Sequence, residues 1–304
     1  MKLDNISKML LEKIANLHEI PDGAVSFRRN GKGELIRSTP HIEISRKADG
    51  SGIDIHVLSA CQNEACHIPV VVSENGIFDE VYNDFYIDKG AVVTIVAGCG
   101  VHSSGEAGHN GIHTFHIGEN AVVTYVENHI ALGTGQNKVL NPVTNIDMQK
   151  NSSMTMETNQ LGGVDFSDRV TKANLKAGAS LMVKEKILTS GFNVAKTNFR
   201  VVMTGEDSKC NIVSRSVARG ESEQVFKSDL VGKAECFGHV ECDGIVLDNA
   251  RIDSVPKVCA RDKNASLSHE AAIGKIASEQ IVKLMTLGLN KEQAESKIIE
   301  GFLK

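Results

Sequence analysis

The 304-residue chain has no tryptophan, only five prolines, and no apolar run long enough to span a bilayer. Just two of those prolines, Pro142 and Pro256, lie between residues 71 and 270. Because proline has no backbone N–H to donate, its scarcity in this stretch suits a succession of fully paired strands. The net charge of −5 gives no electrostatic reason to expect nucleic acid or an anionic membrane as a partner.

Motifs for nucleotide and hydrolase chemistry are also missing. There is no G-x-x-x-x-G-K-[ST] loop, no G-x-G-x-x-G before a helix, no G-x-S-x-G elbow and no H-E-x-x-H pair. The N-terminal segment MKLDNISKMLLEKIANLHEI is amphipathic, carries acidic residues and has no small-residue cleavage site. We therefore expect no secretory leader and a cytoplasmic location.

The seven cysteines, an odd number in a long chain, favour free thiols over a disulfide framework. Most are expected to be ordinary buried side chains. Cys61 and Cys66 are interpreted as structural, because four intervening residues make a poor chelate and no second pair completes a site.

A recurring phrase predicts the fold of the central part of the chain. A turn residue, a small residue and then alternating apolar residues return at a loose period, as in KGAVVTIVAG and ENAVVTYVEN. With no helical pattern between the repeats, this favours a β-solenoid over a β-sandwich, whose strands recur every 8–12 residues or so. The small residues, roughly thirty apart, are Ala91, Ala121, Ser153, Ala179, Ser208, Ala234 and Ala265.

Helical periodicity marks both ends of the chain. Apolar residues share one face of a helix over about residues 3–18, and two further helices are predicted after residue 275. Asn290 caps the last helix, with Gln293 placed for a capping box. The sequence thus divides into an N-terminal helix and short-strand region (1–69), a β-helix core (70–274) and a C-terminal helical region (275–304).

The segment from Cys99 to Glu119, CGVHSSGEAGHNGIHTFHIGE, is rich in histidine, which can indicate an open metal site. On a strand, however, His113 and His116 would point to opposite faces. Glycines in the segment indicate a loop between strands: Gly105, Gly108 and Gly111. Two interpretations stay open, namely polar loop histidines and a metal-dependent β-solenoid or cupin-like enzyme that uses His109, His113 and Glu119.

Three candidate ligands lie shortly before the C-terminal helices, namely Cys242, His269 and Glu270. Thiolate, imidazole and carboxylate together can hold soft or borderline metals, iron among them. A Cys-Asp-Gly turn is expected to bring the Cys242 sulfur to the surface, where a thiol is usable. His269 and Glu270 are adjacent on a predicted strand, so one of the two must point away from the core. The alternative to metal ligation is that the pair is simply an exposed polar part of the last strand.

Two stretches resemble the SufB/SufD family, the scaffold subunits of the SUF iron–sulfur cluster assembly machinery. One is LDNARIDSVPKV followed by ASLSHEAAIGKIASEQIVKLMTLGLNKEQAESKIIEGF, and the other is VTIVAGCGVHSSGEAGHNGIHTFHIGENAVVTYVEN. The resemblance covers roughly residues 70–304 and is to a compact SufB-like member. It implies a mainly β protein, with a right-handed parallel β-helix (solenoid) core, a short helical N-terminal segment and a C-terminal helix pair.

The resemblance also implies roles for individual residues. Cys242 matches the late-solenoid cysteine, and Glu270 and His269 match the SufB glutamate and the SufD histidine, so these three are expected to act in sulfur acceptance and metal ligation. Cys99 matches a Gly-Cys position associated with sulfur transfer, but Gly-Val follows it where SufB has Thr-Ala-Pro. The C-terminal helices imply a dock for the ABC-type ATPase SufC, with contact residues Ile281, Leu284, Met285, Ile298 and Phe302.

We therefore expect a scaffold, not an enzyme, on which a transient iron–sulfur cluster is built at a subunit interface while SufC supplies the ATPase activity. The implied partners are SufC, a second copy of the chain or a SufB/SufD paralogue, and a sulfur donor such as a cysteine desulfurase system. Neither nucleic acid nor membrane is expected. A non-catalytic SufD-like interaction subunit is the alternative, and a flavin is left open without support from the sequence.

Overall fold

The computed structural model describes residues 3–304, which form three helices and twenty strands. The helices are α1 (Asn5–Ala15), α2 (Ser278–Thr286) and α3 (Lys291–Phe302). The first strands are β1 (Ala24–Arg29), β2 (Lys32–Arg37), β3 (Ile42–Arg46), β4 (Gly52–Val57), β5 (Gln62–Val72), β6 (Phe78–Ile87) and β7 (Val92–His102). The next are β8 (Ala107–Ile117), β9 (Val122–Leu132), β10 (Lys138–Leu140), β11 (Val143–Met148), β12 (Ser153–Leu161) and β13 (Phe166–Leu175). The last are β14 (Ser180–Thr189), β15 (Val194–Met203), β16 (Ser208–Ala218), β17 (Glu223–Gly232), β18 (Cys236–Val246), β19 (Arg251–Ala260) and β20 (Ser266–Gly274).

From β4 onward the chain alternates between two sheets, except that β10 and β11 both lie in the second sheet, and neighbours within each sheet run parallel. It thus winds as a parallel β-solenoid of about eight turns with helices at both ends, which confirms the predicted fold class and excludes the sandwich. At the N-terminal edges the pairing is different, because β1 pairs antiparallel with β2, and β3 with β4. No helix within residues 3–304 is long and apolar enough to cross a membrane.

The period of the sequence comes from one corner that stacks on itself turn after turn. At this corner a residue with positive φ, such as Gly90, Asn120 or Gly178, precedes a fully buried alanine. Each corner amide donates to a carbonyl of the next turn, at 2.9 Å from Gly90 to Glu119 and at 3.0 Å from Asn120 to Lys150. Glycine and asparagine tolerate this left-handed backbone best, and for that reason the phrase recurs.

Side chains of one parity point into the solenoid and stack in register. One inward column of the first sheet crosses eight strands and consists of Cys66, Ile95, Tyr125, Met156, Val183, Ile212, Val240 and His269. In the second sheet Phe85 stacks on Phe115, with ring centroids 4.3 Å apart. The core therefore consists of long columns of stacked side chains that end at the last turn.

Helix α1 covers the outside of the first sheet. Asp4 caps its N-terminus by accepting a backbone hydrogen bond at 2.8 Å. Leu10 and Ile14 lie directly on Gly100 and Gly98 of β7, where an added Cβ would come within 3.0 Å of the Cβ atoms of these side chains. The helix can approach so closely because both strand positions lack a side chain.

The glycine-rich segment that follows β7 is mostly strand, so the predicted loop is wrong for two of its three glycines. Only residues 103–106 connect β7 to β8, and Gly108 and Gly111 lie within β8. A Cβ at Gly108 would come within 2.8 Å of the Val139 carbonyl oxygen. This glycine therefore serves the close approach of a neighbouring strand and not a turn.

Helices α2 and α3 pack against the flank of the last solenoid turns. Their apolar side chains join a cluster with Val217 and Ile245 of the solenoid. The predicted capping box of α3 is confirmed: Asn290 Oδ1 accepts from the Gln293 amide at 2.8 Å, and Gln293 Oε1 accepts from the Asn290 amide at 2.9 Å. The helix pair thus lies beside the solenoid and does not cover its open end.

Replacing Phe85 by alanine removes one member of the stacked pair and leaves a cavity in a fully buried site. We expect the free energy of unfolding to fall by about 3–5 kcal/mol. Phe192, which is 83% exposed, is the matched control, and its replacement by alanine should change stability by less than about 0.5 kcal/mol. Denaturant unfolding followed by circular dichroism measures both, and equal losses would contradict the stacked core.

Candidate functional site

Cys242 lies in β18 and faces the solenoid interior. Backbone pairing with β16 on one side and β20 on the other holds Asp243 and Gly244 extended, so the predicted Cys-Asp-Gly turn is wrong. The side chain is fully buried and does not reach the surface. Burial raises the pKa of the Cys242 thiol to about 11, although the nearby Ser254 hydroxyl opposes the rise.

Strand β20 presents the other two candidate ligands on opposite faces. His269 is in register with Val240 and faces the interior, as Cys242 does. Glu270 is in register with Glu241 and is exposed on the outer face. One chain therefore brings the thiol and the imidazole to the same side of the sheet and leaves the carboxylate on the other, as strand alternation requires.

A single chain does not close a metal site around these groups. No three His, Cys, Asp or Glu side chains among residues 3–304 are grouped so that they could hold a metal ion. His269 Nε2 is shielded from solvent and has no hydrogen-bond partner. Burial lowers the pKa of His269, and the neighbouring His239 lowers it further, so the imidazole is neutral at pH 7 and able to donate its lone pair.

The last turn of the solenoid, formed by β19 and β20, has no turn stacked on it. Its inward-facing side chains are consequently only partly covered: Val258 is 45% exposed and Ile273 is 39% exposed. On the outer face Val255 is 53% exposed. Apolar side chains at this end lie beside His269, and Cys242 lies one strand behind them.

Cys99 lies near the opposite end of the solenoid, in β7. It is 1% exposed, and its side chain belongs to an apolar cluster with Val70 and Val101. Burial raises the pKa of Cys99 well above its ordinary value, and the charges of Asp79 and Glu127 raise it further. The sequence resemblance selected a position whose thiol is enclosed by the protein.

A small cavity of about 20 Å³ adjoins the Cys99 side chain. His109, His113 and His129 line it together with Glu127. The predicted opposite facing of the histidines of β8 is confirmed, since His116 lies outside and stacks on a tyrosine ring at a centroid distance of 5.0 Å. Three histidines therefore line the same interior cavity as Cys99.

Glu119 does not join these histidines. It lies after the end of β8 and forms an ion pair with Lys89, at 3.0 Å between Lys89 Nζ and Glu119 Oε2. The set of His109, His113 and Glu119 that a metal-dependent enzyme would need is therefore not assembled.

A chain of buried polar groups continues inward from this cavity. Asn83 Nδ2 lies 3.3 Å from His113 Nε2, and His113 Nδ1 lies 2.8 Å from the Tyr125 hydroxyl. That hydroxyl donates to Glu127 Oε1 at 2.9 Å, and Glu127 forms an ion pair with Arg169. All five side chains are buried and face the interior of the solenoid.

The chain of polar groups extends toward Cys242. Arg169 Nε lies 3.8 Å from Glu185 Oε1, and Glu185 Oε2 accepts a hydrogen bond from Ser214 at 2.8 Å. Ser214 on β16 is the register partner of Cys242. Interior polar groups therefore connect the surroundings of one cysteine to those of the other.

The charges in this interior are fixed by their partners. Burial alone would raise the pKa of Glu127, but the adjacent Arg169 guanidinium outweighs burial and holds that pKa far below its usual range. Burial lowers the pKa of His113 to about 4 and that of His129 to about 3. Both histidines are consequently neutral at pH 7, and Arg169 Nη2 donates to His129 Nδ1 at 3.1 Å.

The C-terminal helices place the predicted SufC-contact residues in two different environments. Ile281, Ile298 and Phe302 pack toward the solenoid flank, and Leu284 is half-buried. Met285 is 44% exposed. The apolar surface that the helices offer to solvent is Val282, Met285 and Leu287.

A comparison with protein-family models decides the relationship. The model described as "SUF system FeS cluster assembly, SufBD core domain" matches residues 81–302, well over half of the chain. The chain belongs to the SufBD family. The matched region includes Cys99, Cys242, His269 and Glu270 and extends through the C-terminal helices.

Curated relatives of this SufBD protein carry the same description, "Iron-sulfur cluster assembly SufBD family protein". One from Archaeoglobus fulgidus is 29% identical over 267 residues, which cover 86% of this chain and 71% of the relative. One from Pyrococcus horikoshii is 26% identical over 280 residues, covering 88% and 83%. One from Methanothermobacter thermautotrophicus is 29% identical over 258 residues, covering 82% of this chain but 52% of that longer protein.

Because the buried histidines are neutral in the fold and have an ordinary pKa near 6.5 when unfolded, the unfolded state binds more protons below that pH. Stability should therefore fall as the pH drops from 7 to 5, by about 2 kcal/mol for each histidine. His129→Gln, whose amide oxygen can still accept from Arg169, should reduce the fall by that amount. Denaturant unfolding at pH 7 and pH 5 measures this change in the free energy of unfolding. His18→Gln, at an exposed histidine, is the control and should lose as much stability as the wild type. The same loss in His129→Gln would refute the prediction.

Proposed function

We propose that this SufBD protein is a scaffold that receives sulfur and iron and builds a transient iron–sulfur cluster at a subunit interface. The observation that carries the proposal is the uncovered last turn of the solenoid, where a neutral imidazole with an unpartnered Nε2 lies next to the strand that holds Cys242. The cluster is the cargo of this site and not a permanent cofactor, and the site has to release it.

A second subunit would complete the ligand set. One chain offers Cys242 and His269 on the interior side and Glu270 on the outer side, and these do not form a metal site alone. Pairing of two uncovered ends would cover the exposed apolar side chains of β19 and β20 and bring two sets of ligands together. Thiolate, imidazole and carboxylate from two chains suit iron that is held only during assembly.

The polar interior supports a role for Cys99 in sulfur transfer. Five strand spacings, roughly 24 Å, separate the strands of Cys99 and Cys242, and thiol exchange requires contact between sulfur atoms. Sulfur accepted at Cys99 as a persulfide would therefore reach Cys242 as hydrosulfide, released when two small thiols reduce the persulfide and are oxidised to a disulfide. The hydroxyl groups of Thr158, Thr171 and Ser228 face the interior without protein partners, as expected of a lining that holds water.

The chain acts together with a SufC-type ATPase in this proposal, since it has no nucleotide-binding motif of its own. The C-terminal region 275–304 is the proposed dock. Its exposed apolar surface, formed by Val282, Met285 and Leu287, is the part left free when the other helix side chains pack on the solenoid. A cysteine desulfurase system is the proposed sulfur donor.

One observation favours a second candidate, a SufD-like interaction subunit that binds partners and holds no cluster. Cys242 is fully buried, with a pKa raised to about 11, and this is how an ordinary core cysteine behaves. In that case Cys242 would matter for packing only. The cluster experiment separates the two functions.

Anaerobic reconstitution with iron and sulfide should give a visible-absorption spectrum of an iron–sulfur cluster on the wild-type protein. Cys242→Ser should reduce the cluster yield to background, because the thiolate ligand is lost. Cys210→Ser, at another fully buried thiol, is the matched control and should retain the yield. Background yield from both the wild type and Cys242→Ser would favour the interaction subunit, and an equal yield above background would remove Cys242 from the ligand set.

Charge placed on the exposed apolar surface of α2 should weaken SufC binding. We expect Met285→Asp to raise the dissociation constant by at least about tenfold, or 1.4 kcal/mol, because it buries a charge at the interface. Phe192→Asp adds the same charge at an exposed apolar residue of a solenoid loop and should leave binding unchanged. Isothermal titration with the purified ATPase measures both, and unchanged binding by Met285→Asp would remove this surface from the dock.

A further inference from the structure

The N-terminal end of the solenoid contains a larger cavity of about 150 Å³. It lies inside the first turn, between inward-facing residues of β1 and β6. Ser26 and Arg28 line it from one sheet, Val81 and Asn83 line it from the other, and Arg46 and Lys47 line it from the end of β3 and the loop that follows.

This outer cavity adjoins the small cavity at Cys99. Both are lined by Ile68, Val70 and Asn83, so three side chains form the wall between them. Arg28 is in register with Val70, which is in register with Cys99. Arg28, on the far wall of the outer cavity, is thus two strand spacings, roughly 10 Å, from Cys99.

The charged side chains that line the outer cavity are all cations. Arg28 forms a bidentate ion pair with Asp79, at 2.5 and 2.6 Å, and Lys47 binds Asp54 at 2.7 Å and Asp84 at 2.5 Å. The cations line the cavity, whereas none of these three carboxylates does.

Arg46 has no carboxylate partner within residues 3–304, and its guanidinium donates to the Gly33 carbonyl at 3.0 Å. The Arg46 guanidinium therefore lines the mouth without a paired carboxylate. His109, which lines the inner cavity, has its Nδ1 atom 3.3 Å from Asp79 Oδ2. Asp79 thus lies between Arg28, which lines the outer cavity, and His109, which lines the inner one.

We propose that this end of the solenoid is an entrance through which small inorganic anions of the hydrosulfide class reach Cys99. The outer cavity selects for negative charge. The inner cavity, at about 20 Å³, has room for a species of one or two heavy atoms. A residue of a carrier protein would not fit there.

The biological meaning of the entrance depends on the proposed assembly function, but its existence does not. It provides a route for free sulfide that bypasses the docking of a sulfur-donor protein. The tests below measure access and anion binding and do not require a cluster to form.

The first test measures how fast Cys99 reacts in the folded protein. Hydrogen peroxide is a small neutral reagent that oxidises the thiolate to a sulfenic acid as hydroxide leaves, and peptide mass spectrometry reports each cysteine separately. Val81→Phe fills the outer cavity and should slow the modification of Cys99 at least about tenfold, a barrier increase of about 1.4 kcal/mol. Cys242, at the other end, is the internal control and should react at its wild-type rate.

An unchanged Cys99 rate in a folded Val81→Phe protein would overturn the entrance. Equal slowing of Cys99 and Cys242 would overturn it too, since that result would indicate that the substitution changes local opening throughout the fold. The cluster yield on Cys242→Ser is a separate measurement. A negative result for the entrance therefore does not affect the proposed assembly function, and a negative cluster result does not affect the entrance.

The second test examines the charge preference with bromide alone. Anomalous diffraction from crystals soaked in sodium bromide should show an ion in the outer cavity of the wild type and none in Arg46→Glu, which changes an exposed residue and leaves the core intact. Bromide at the mouth of both proteins, or of neither, would contradict an anion site that depends on Arg46.

Discussion

In-register stacking of the solenoid turns is the constraint on which the rest of the structure depends. Each corner amide binds a carbonyl of the next turn, and each inward side chain therefore lies beside the equivalent side chain of its neighbours. Inward and outward positions are set by parity along every strand. A polar residue at an inward position cannot turn to solvent, so it must find its partner inside.

The interior charges follow from that constraint. Glu127 and Glu185 are inward by parity, and Arg169 from the opposite sheet lies between them. Removing one member of such a buried set is costly, because the others keep their charges without compensation. A purely stabilising core would be apolar at these positions. The buried charges thus form part of the polar contacts between the surroundings of Cys99 and those of Cys242.

The sequence predicted the repeat, the terminal helices and the alternation of the histidines of β8, because these depend on local periodicity and on corner residues. It did not predict the extended course of the chain at Cys242, since Cys-Asp-Gly favours a turn locally and only the neighbouring strands β16 and β20 hold it straight. The interior ion pair was also missed. Glu127 follows Tyr125 at the same parity, which places it inside, but its partner Arg169 is 42 residues away.

Assignment of the ligands had a similar limit. Motifs identified Cys242, His269 and Glu270 as a group, whereas strand parity separates the carboxylate from the other two. In the proposed two-chain site, the residues are evident from the sequence, but which chain would supply each ligand is not. That would depend on how a second molecule covers the last turn, which no local feature of the sequence records.

The two ends of the solenoid differ in a way that limits how large an assembly can grow. At the N-terminal end the short antiparallel strands β2 and β3 interrupt the stacking and carry charged side chains, as protected sheet edges do. At the other end β19 and β20 are long and open. In the proposed pairing through the open end, two molecules would join tail to tail and association would stop at two, because the other end offers no equivalent strand edge for a third.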